Sequence, residues 1–549
     1  MLSPSLLVPI AVSAILGSTF AAAQLFGQSS KIDPTTSQQH VSIAYVNDIH
    51  AQLEPHPELF WQDGQDRRVH DAGGLGRIAT AFEELAARRP HGMLRIDGGD
   101  TFQGSGPGAW TKGEVMVEPM NALKLDLAIP GNWAVAYGAA QLRKLAQDLN
   151  YPLIATNIHD QDTGQRTFAP YAIREIDGVR IGLIGFTDPD VPSRQPPYMS
   201  AGLNFTDTSV IQPFVDHLRE KEDVELVVLI THIGLHKSIP LAGQLTGVDV
   251  LLSSDTHERT YDPIMVGDTI IVEAGAFGSF VGVLDLTLDN GTVVEREWKL
   301  HELRADLFAE QPEVKAIIDR VLKPHRERME REIGHTDVWL ERYNVISTSM
   351  DRVIADAIRQ ETGTDIGITN GYRFSPPTAP GPITEEDLWN WLPVELPLKK
   401  GRARGEQLIQ YWEREFENVF SSDPQRLYGG WLARPSTNVQ IQFDSTGPVN
   451  RRLKQFQIDG QPLDPDKIYS LAAGARAGSP EHQIHRLPNC LNTTALTSST
   501  HDAVRTYLRS LMSIQDTGKP PLECLSRPAI LRSQILDPKS VSIPPAIRR

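Results

Sequence analysis

Between residues 41 and 303, short apolar runs rich in Val, Ile and Leu alternate with stretches whose apolar residues recur at helical spacing. That rhythm predicts a largely parallel sheet with helices packed on it. Strands are expected at 41–46, 93–96, 153–156, 224–230 and 248–252. Two turn signals, Asp177-Gly178 and Asn290-Gly291, sit between such runs and predict hairpins that add antiparallel strands.

Farther on, Val314, Ile317, Ile318, Val321 and Leu322 fall at the i, i+3, i+4, i+7, i+8 spacing of one helix face. This predicts a linker helix over 309–335, kinked or ended at Pro324, with the charged stretch 325–332 as a solvated continuation. The organisation that follows is a first domain over 41–305 and a second, α+β domain over 336–536. The second domain is expected to hold a helix at 349–360 and strands at 366–369, 439–443 and 468–471. The tail 537–549 reads as disordered. Residues 1–30 read as a signal peptide and leader: an apolar run from Leu6 to Phe20 precedes the small residues Ala21, Ala22 and Ala23. The run is short and contains Pro9, so no stable membrane span is expected after cleavage, and the location implied is periplasmic or secreted.

Composition narrows the class. A chain of 549 residues with 40% apolar content has ample material for packed cores. Its net charge of −16 and lack of clustered Lys and Arg argue against nucleic acid as a partner. The two cysteines, Cys490 and Cys524, lack metal-type spacing and are read either as one bridge or as two free thiols.

The chemistry lies where the strands end. Asp48 and His50 follow the first strand, Gly98-Gly99-Asp100 the second, and Gly131-Asn132, Thr231-His232 and Asp255-Thr256-His257 come after later ones. Side chains just past the carboxyl ends of successive parallel strands converge on one crevice. Mixed carboxylate, imidazole and carboxamide donors suit Mn, Zn or Fe better than Mg or Ca. Glycines at 98 and 99 permit close approach of the backbone to a ligand.

That order of motifs resembles the dinuclear metallophosphoesterases, and specifically the two-domain 5′-nucleotidase group, across 41–536. The resemblance implies an α/β fold with an N-terminal four-layer α/β/β/α sandwich and a C-terminal α+β domain of 5′-nucleotidase type. It also implies two divalent ions. Asp48, His50, Asp100 and His257 would hold the first, Asp100, Asn132, His232 and Asp255 the second, with Asp100 bridging. In the stretch Thr369-Asn370-Gly371-Tyr372-Arg373, Arg373 would meet the substrate anion, and Trp431 is the candidate for stacking on it.

Two departures redirect the chemistry. Where the group writes Gly-Asn-His-Glu and then an Asp that assists the leaving group, this chain has Gly131-Asn132-Trp133-Ala134-Val135-Ala136. Where it writes Gly-His-x-His, the chain has Ser254-Asp255-Thr256-His257. The Trp, with Gly98–Gly106 and Tyr428-Gly429-Gly430-Trp431, is similar to the thiosulfohydrolase branch of bacterial sulfur oxidation. An indole cannot protonate an alkoxide, whereas a thiol, with a pKa near 8.5, leaves readily as an anion. The expected function is therefore hydrolysis of a sulfonate on a cysteine-linked carrier protein by a hydroxide held between the two ions, with Asn132, His232 and Arg373 as catalytic residues. The alternatives are a 5′-nucleotidase or other phosphomonoesterase, and a catalytically silent binding protein with the same fold. In each enzyme reading the substrate is an anion, sulfonate or phosphate ester.

Overall fold

The computed structural model describes residues 38–62, 65–370, 375–421, 426 and 432–526. Arg373, Trp431, the leader and the tail lie outside the described residues.

Two sheets form the N-terminal domain. The first runs Thr292–Glu302, Phe280–Asp289, Gln39–Val46, Leu94–Asp97, Leu127–Ala128, and its last three strands are parallel. The second runs Ile264–Val266, Thr269–Val272, Val250–Ser253, Leu226–His232, Val179–Thr187, Tyr171–Ile176, with a parallel centre. Both central strands are apolar at nearly every position because both of their faces are buried. Val41, Ile43 and Tyr45 join Val228 and Ile230 in the core between the sheets. Ala44 and Val46 face the other way, onto the helices Leu75–Ala87 and Pro312–Leu322, and Val227 and Leu229 face the helices Ile211–Glu220 and Leu235–Ala242. Period-2 alternation thus builds four layers, helix, sheet, sheet, helix, and both predicted hairpins form.

Two expectations need correction. Residues 153–156 make only isolated bridges, Leu153 to Ala128 and Ile154 to Ala169. Their amides are shared among Ala128, Ala169 and Gly185, and no single partner extends into a ladder. The linker helix is broken at Pro324, as expected, and the charged stretch after it is what needs correcting. The helix stops at Leu322, passes through a 3₁₀ turn at Lys323–His325, resumes for Arg326–Met329, and gives way to the strand Glu332–Thr336. Pro324 lacks the N–H a continuing helix needs. The charged stretch is not simply solvated, because Met329 is buried and Arg326 donates to Glu54 at 2.6 Å.

The C-terminal domain has a five-stranded sheet, ordered Arg434–Pro435, Ile366–Thr369, Ile468–Gly474, Pro397–Arg404, Leu491–Ser499, and a second sheet of four strands. The helix Ser349–Thr362 is capped by Thr348, whose side chain accepts from the Asp351 amide, and ends at Gly363 with φ 61°. Cys490 and Cys524 are free thiols. Among the described residues no helix is long and apolar enough to cross a membrane.

The domains meet beside the strand ends. Gln52 donates to Asn390 at 3.0 Å, Gln103 donates to the Pro393 carbonyl at 3.3 Å, and Trp110 meets Trp389 edge-on at 6.0 Å. At the centre of this contact the buried Tyr343 hydroxyl donates to Glu58 at 2.6 Å, and Glu58 also receives Arg259 at 3.1 Å and Ser279 at 2.6 Å. A hydrogen bond to a charged group contributes about 1.5–3 kcal/mol. Tyr343→Phe is therefore expected to lower unfolding free energy by about 2 kcal/mol in urea titrations, with the metal content of the protein unchanged.

Candidate metal centre

Five loops bring the candidate ligands together because each follows the carboxyl end of a strand. The loops are zipped to each other: the amides of Asp48, His50 and Ala51 donate to the carbonyls of Gly99, Asp100 and Thr101 at 2.9, 2.8 and 2.9 Å. The geometry forces left-handed backbone on residues that rarely adopt it: φ is 50° at Asp48, 51° at His50, 55° at Asp100, 84° at Asp255 and 59° at His257. Strain of this kind persists only where the surroundings over-determine it. Glycine is required at 131, where a Cβ would stand 2.0 Å from Asp100 Oδ1.

Asp48 lies at the centre. Its Oδ2 accepts from the Asn47 side chain at 2.7 Å and from the Asp255 amide at 3.0 Å, whereas its buried Oδ1 has no hydrogen-bond partner. That oxygen faces the Nε2 atoms of His257, His50 and His232 at 3.4, 3.8 and 3.8 Å. Asp100 Oδ2 lies 3.2 Å from His232 Nε2 and 3.8 Å from His50 Nε2, while its Oδ1 accepts from the Trp133 amide at 2.8 Å. Two overlapping groups result, Asp48–His50–His257 and Asp48–Asp100–His232, with ligand atoms in each within 4.8 Å of one another. Asp48 is common to both, and Asp100 Oδ2 likewise reaches His50 as well as His232.

The rings are preset for ligation. His50 Nδ1 lies 2.9 Å from the Gln103 carbonyl and His232 Nδ1 lies 2.8 Å from the Gly98 carbonyl. A carbonyl only accepts, so Nδ1 carries a hydrogen and Nε2 is the atom turned to the centre. The carboxamide oxygen of Asn132 is buried without a hydrogen-bond partner. The two overlapping groups of carboxylate and imidazole donors fit a pair of divalent ions.

Electrostatics agree. Burial alone would raise the Asp48 carboxyl, but the imidazoles of His257 and His232 hold it well below the usual carboxylate range. Burial pulls His50 down to about 4, so it is neutral at physiological pH. Burial also pulls on His232, yet the carboxylates of Asp100 and Asp48 outweigh it and hold that ring well above its ordinary value.

Supports appear that the sequence did not signal. Glu273 accepts from Ser253 at 2.9 Å, Thr256 at 3.0 Å and the Glu258 amide at 2.8 Å, fixing the loop that carries Asp255 and His257. Burial pushes its carboxyl up to about 8. His56 is buried and bonds the Phe277 carbonyl at 2.9 Å; the Phe277 ring packs on His257 at 5.2 Å. Asp255 sits at the edge of the cluster, its Oδ1 3.9 Å from His232 Nε2, and both its oxygens receive Arg194, at 2.8 and 2.9 Å. Arg194, Gln195 and Trp133 form one wall of a cavity of about 210 Å³ between the domains, and Lys399, Arg476 and Arg486 lie on the other.

Comparison with known proteins places this arrangement. Residues 332–475 match the family described as 5′-nucleotidase, C-terminal domain. The chain is 26% identical over 419 residues to a snake venom 5′-nucleotidase of Crotalus adamanteus, covering 68% of this chain and 69% of that protein. Its fold matches the sulfate thiohydrolase SoxB of Thermus thermophilus with a TM-score of 0.78 at 23% identity, covering 89% of this chain and 97% of the other. A 5′-nucleotidase precursor, also from Thermus thermophilus, gives 0.76 at 22% identity, covering 89% and 100%. The chain thus has the two-domain α/β fold of these structures, and its C-terminal part matches the 5′-nucleotidase C-terminal domain.

Because a ligand imidazole must be neutral, loading metal displaces the proton that Asp100 and Asp48 hold on His232. Titration of metal-free protein is expected to release at least one proton per molecule, seen as a dependence of the calorimetric heat on buffer ionisation enthalpy. Apparent affinity is expected to fall by about tenfold per pH unit on acidification for each proton displaced. A heat independent of the buffer, with affinity flat across roughly pH 6 to 8, contradicts this.

Proposed function

We propose that the protein is a hydrolase with two divalent ions that removes a sulfonate group from a thiol-linked carrier. The observation that carries this reading is the orphaned Asp48 Oδ1, faced by three imidazoles. Asp48, His50, Asp100, Asn132, His232 and His257 are proposed to hold the ions. When bound, such a pair supplies a nucleophile at neutral pH and positive charge for a developing oxyanion. The chain itself orients these parts: Gly98 and Gln103 carbonyls fix the rings, and the Trp133 amide fixes Asp100.

The leaving group decides between sulfur and phosphorus. Beside Asn132 stands Trp133, whose indole N–H donates a hydrogen bond but releases no useful proton. Water adds to the sulfonate sulfur, the sulfur–sulfur bond breaks, and the thiolate departs with the electron pair, leaving a thiol and sulfate. No proton donor is needed for that departure. An alkoxide leaving from a phosphomonoester does need one, and general acid assistance contributes about 10²–10⁴-fold. The cations along the cavity suit an anionic substrate in either case, and Val394 adds an apolar contact to its lining. Arg373 is proposed to meet the anion and Trp431 to pack on the substrate. Export to the periplasm or beyond fits a carrier substrate there.

The second reading, a 5′-nucleotidase, is favoured by the Asn132 carboxamide, which follows the nucleotidase pattern, and by the relatives named above. The test is a side-by-side assay of the metal-loaded protein with AMP and with a thiosulfonate-modified thiol. The sulfur reading predicts a kcat/KM for AMP at least about 100-fold below that for the thiosulfonate, and loss of both activities in Asp100→Ala. Efficient AMP turnover with none on the thiosulfonate overturns it.

A further inference from the structure

Among the candidate ligands, Asp255 has a second claimant. The Arg194 guanidinium grips both of its oxygens, Nη2 to Oδ1 at 2.8 Å and Nη1 to Oδ2 at 2.9 Å, the planar two-point geometry in which this ion pair is strongest. Nη1 also donates to Asp188, which is fully buried just past the end of the strand Val179–Thr187. Lys237 stands beside this group, donating to Asp190 at 2.8 Å. The arginine cannot easily follow Asp255 elsewhere, because its loop is tied across the domain boundary: Arg476 donates to the Ser193 carbonyl at 2.7 Å and to that of Gln195.

We propose that Arg194 withholds Asp255 from the metal centre, so that the ion at Asp48, Asp100 and His232 is held more weakly than the ion at Asp48, His50 and His257. The inference rests on the dinuclear reading above. With its carboxylate on Arg194, Asp255 serves the centre through its main chain, whose N–H orients Asp48 by way of Oδ2 and leaves Oδ1 free for metal. If Asp255 turned to an ion, the half-buried guanidinium would keep only Asp188 as its carboxylate partner, a costly loss for a charge. Yet Oδ1 is only 3.9 Å from His232 Nε2, within reach of the second position once the arginine is removed. Arg194 thus sets the affinity for the second ion, and it does so from the cavity wall and from a loop held by the C-terminal domain. Occupancy of the second position becomes sensitive to metal supply and to the docking of the domains.

Calorimetric titration of the metal-free full-length protein with Mn²⁺ alone tests this. Wild type is expected to bind two ions, the second at least tenfold more weakly than the first. Asp255→Asn, which keeps the main-chain contact, is expected to leave the second affinity within threefold of wild type. Arg194→Gln is expected to tighten it fivefold or more, by releasing the carboxylate. A tenfold or greater loss of the second ion in Asp255→Asn, or equal affinities for both ions in wild type, overturns the proposal while leaving the dinuclear reading intact. Failure of wild type to bind more than one ion overturns both. Should Arg194→Gln not fold, the Asp255→Asn titration still decides, since a ligand and a salt-bridged bystander give opposite results there.

Discussion

The structure turns on one unsatisfied oxygen. Asp48 Oδ1 is buried, without a hydrogen-bond partner, and surrounded by imidazole nitrogens within 3.4 to 3.8 Å. A buried carboxylate oxygen left this way costs stability unless a cation or donor satisfies it. The second carboxylate oxygen is taken by Asn47 and the Asp255 amide, and two of the rings turn their Nε2 atoms to the centre because their Nδ1 atoms are spent on backbone carbonyls. Left-handed backbone at five ligand-bearing positions is the conformational cost of holding the oxygen there.

The fold provides the place for this cluster. Parallel strands from two face-to-face sheets end at one rim, and the loops that follow are hydrogen-bonded to one another before any side chain is considered. The C-terminal domain then closes over the rim. Its contacts with the first domain, at Glu58, Gln52, Gln103 and the Ser193 carbonyl, all fall on segments that carry or support the centre. The cavity between the domains therefore combines the chemistry of one with the cationic surface of the other.

Much of this was legible in the sequence. The both-sided apolar runs at 41–46 and 224–230 announced buried parallel strands, and the polar residues just beyond them announced a crevice, since strand ends in such sheets converge. Asp48, His50, Asp100, His232 and His257 were legible for that reason, and the structure gathers them. Less legible were features that depend on a distant partner. Nothing local marks Glu273 as the prop of the loop that carries Asp255 and His257, or Arg194 as the partner of Asp255, because neither pairing has a fixed spacing. The sharing of amides at 153–156 shows the same limit: a run's own composition does not say which strand is there to receive it.

The central claim is that this rim holds two ions around Asp48, and diffraction at a metal absorption edge tests it most directly. Crystals equilibrated with Mn²⁺ are expected to show two anomalous peaks about 3.5–4 Å apart, one beside His50 and His257, one beside His232 and Asp100, both in contact with Asp48. A single peak distant from Asp48, or no peak while the loops keep the positions described, would contradict the account.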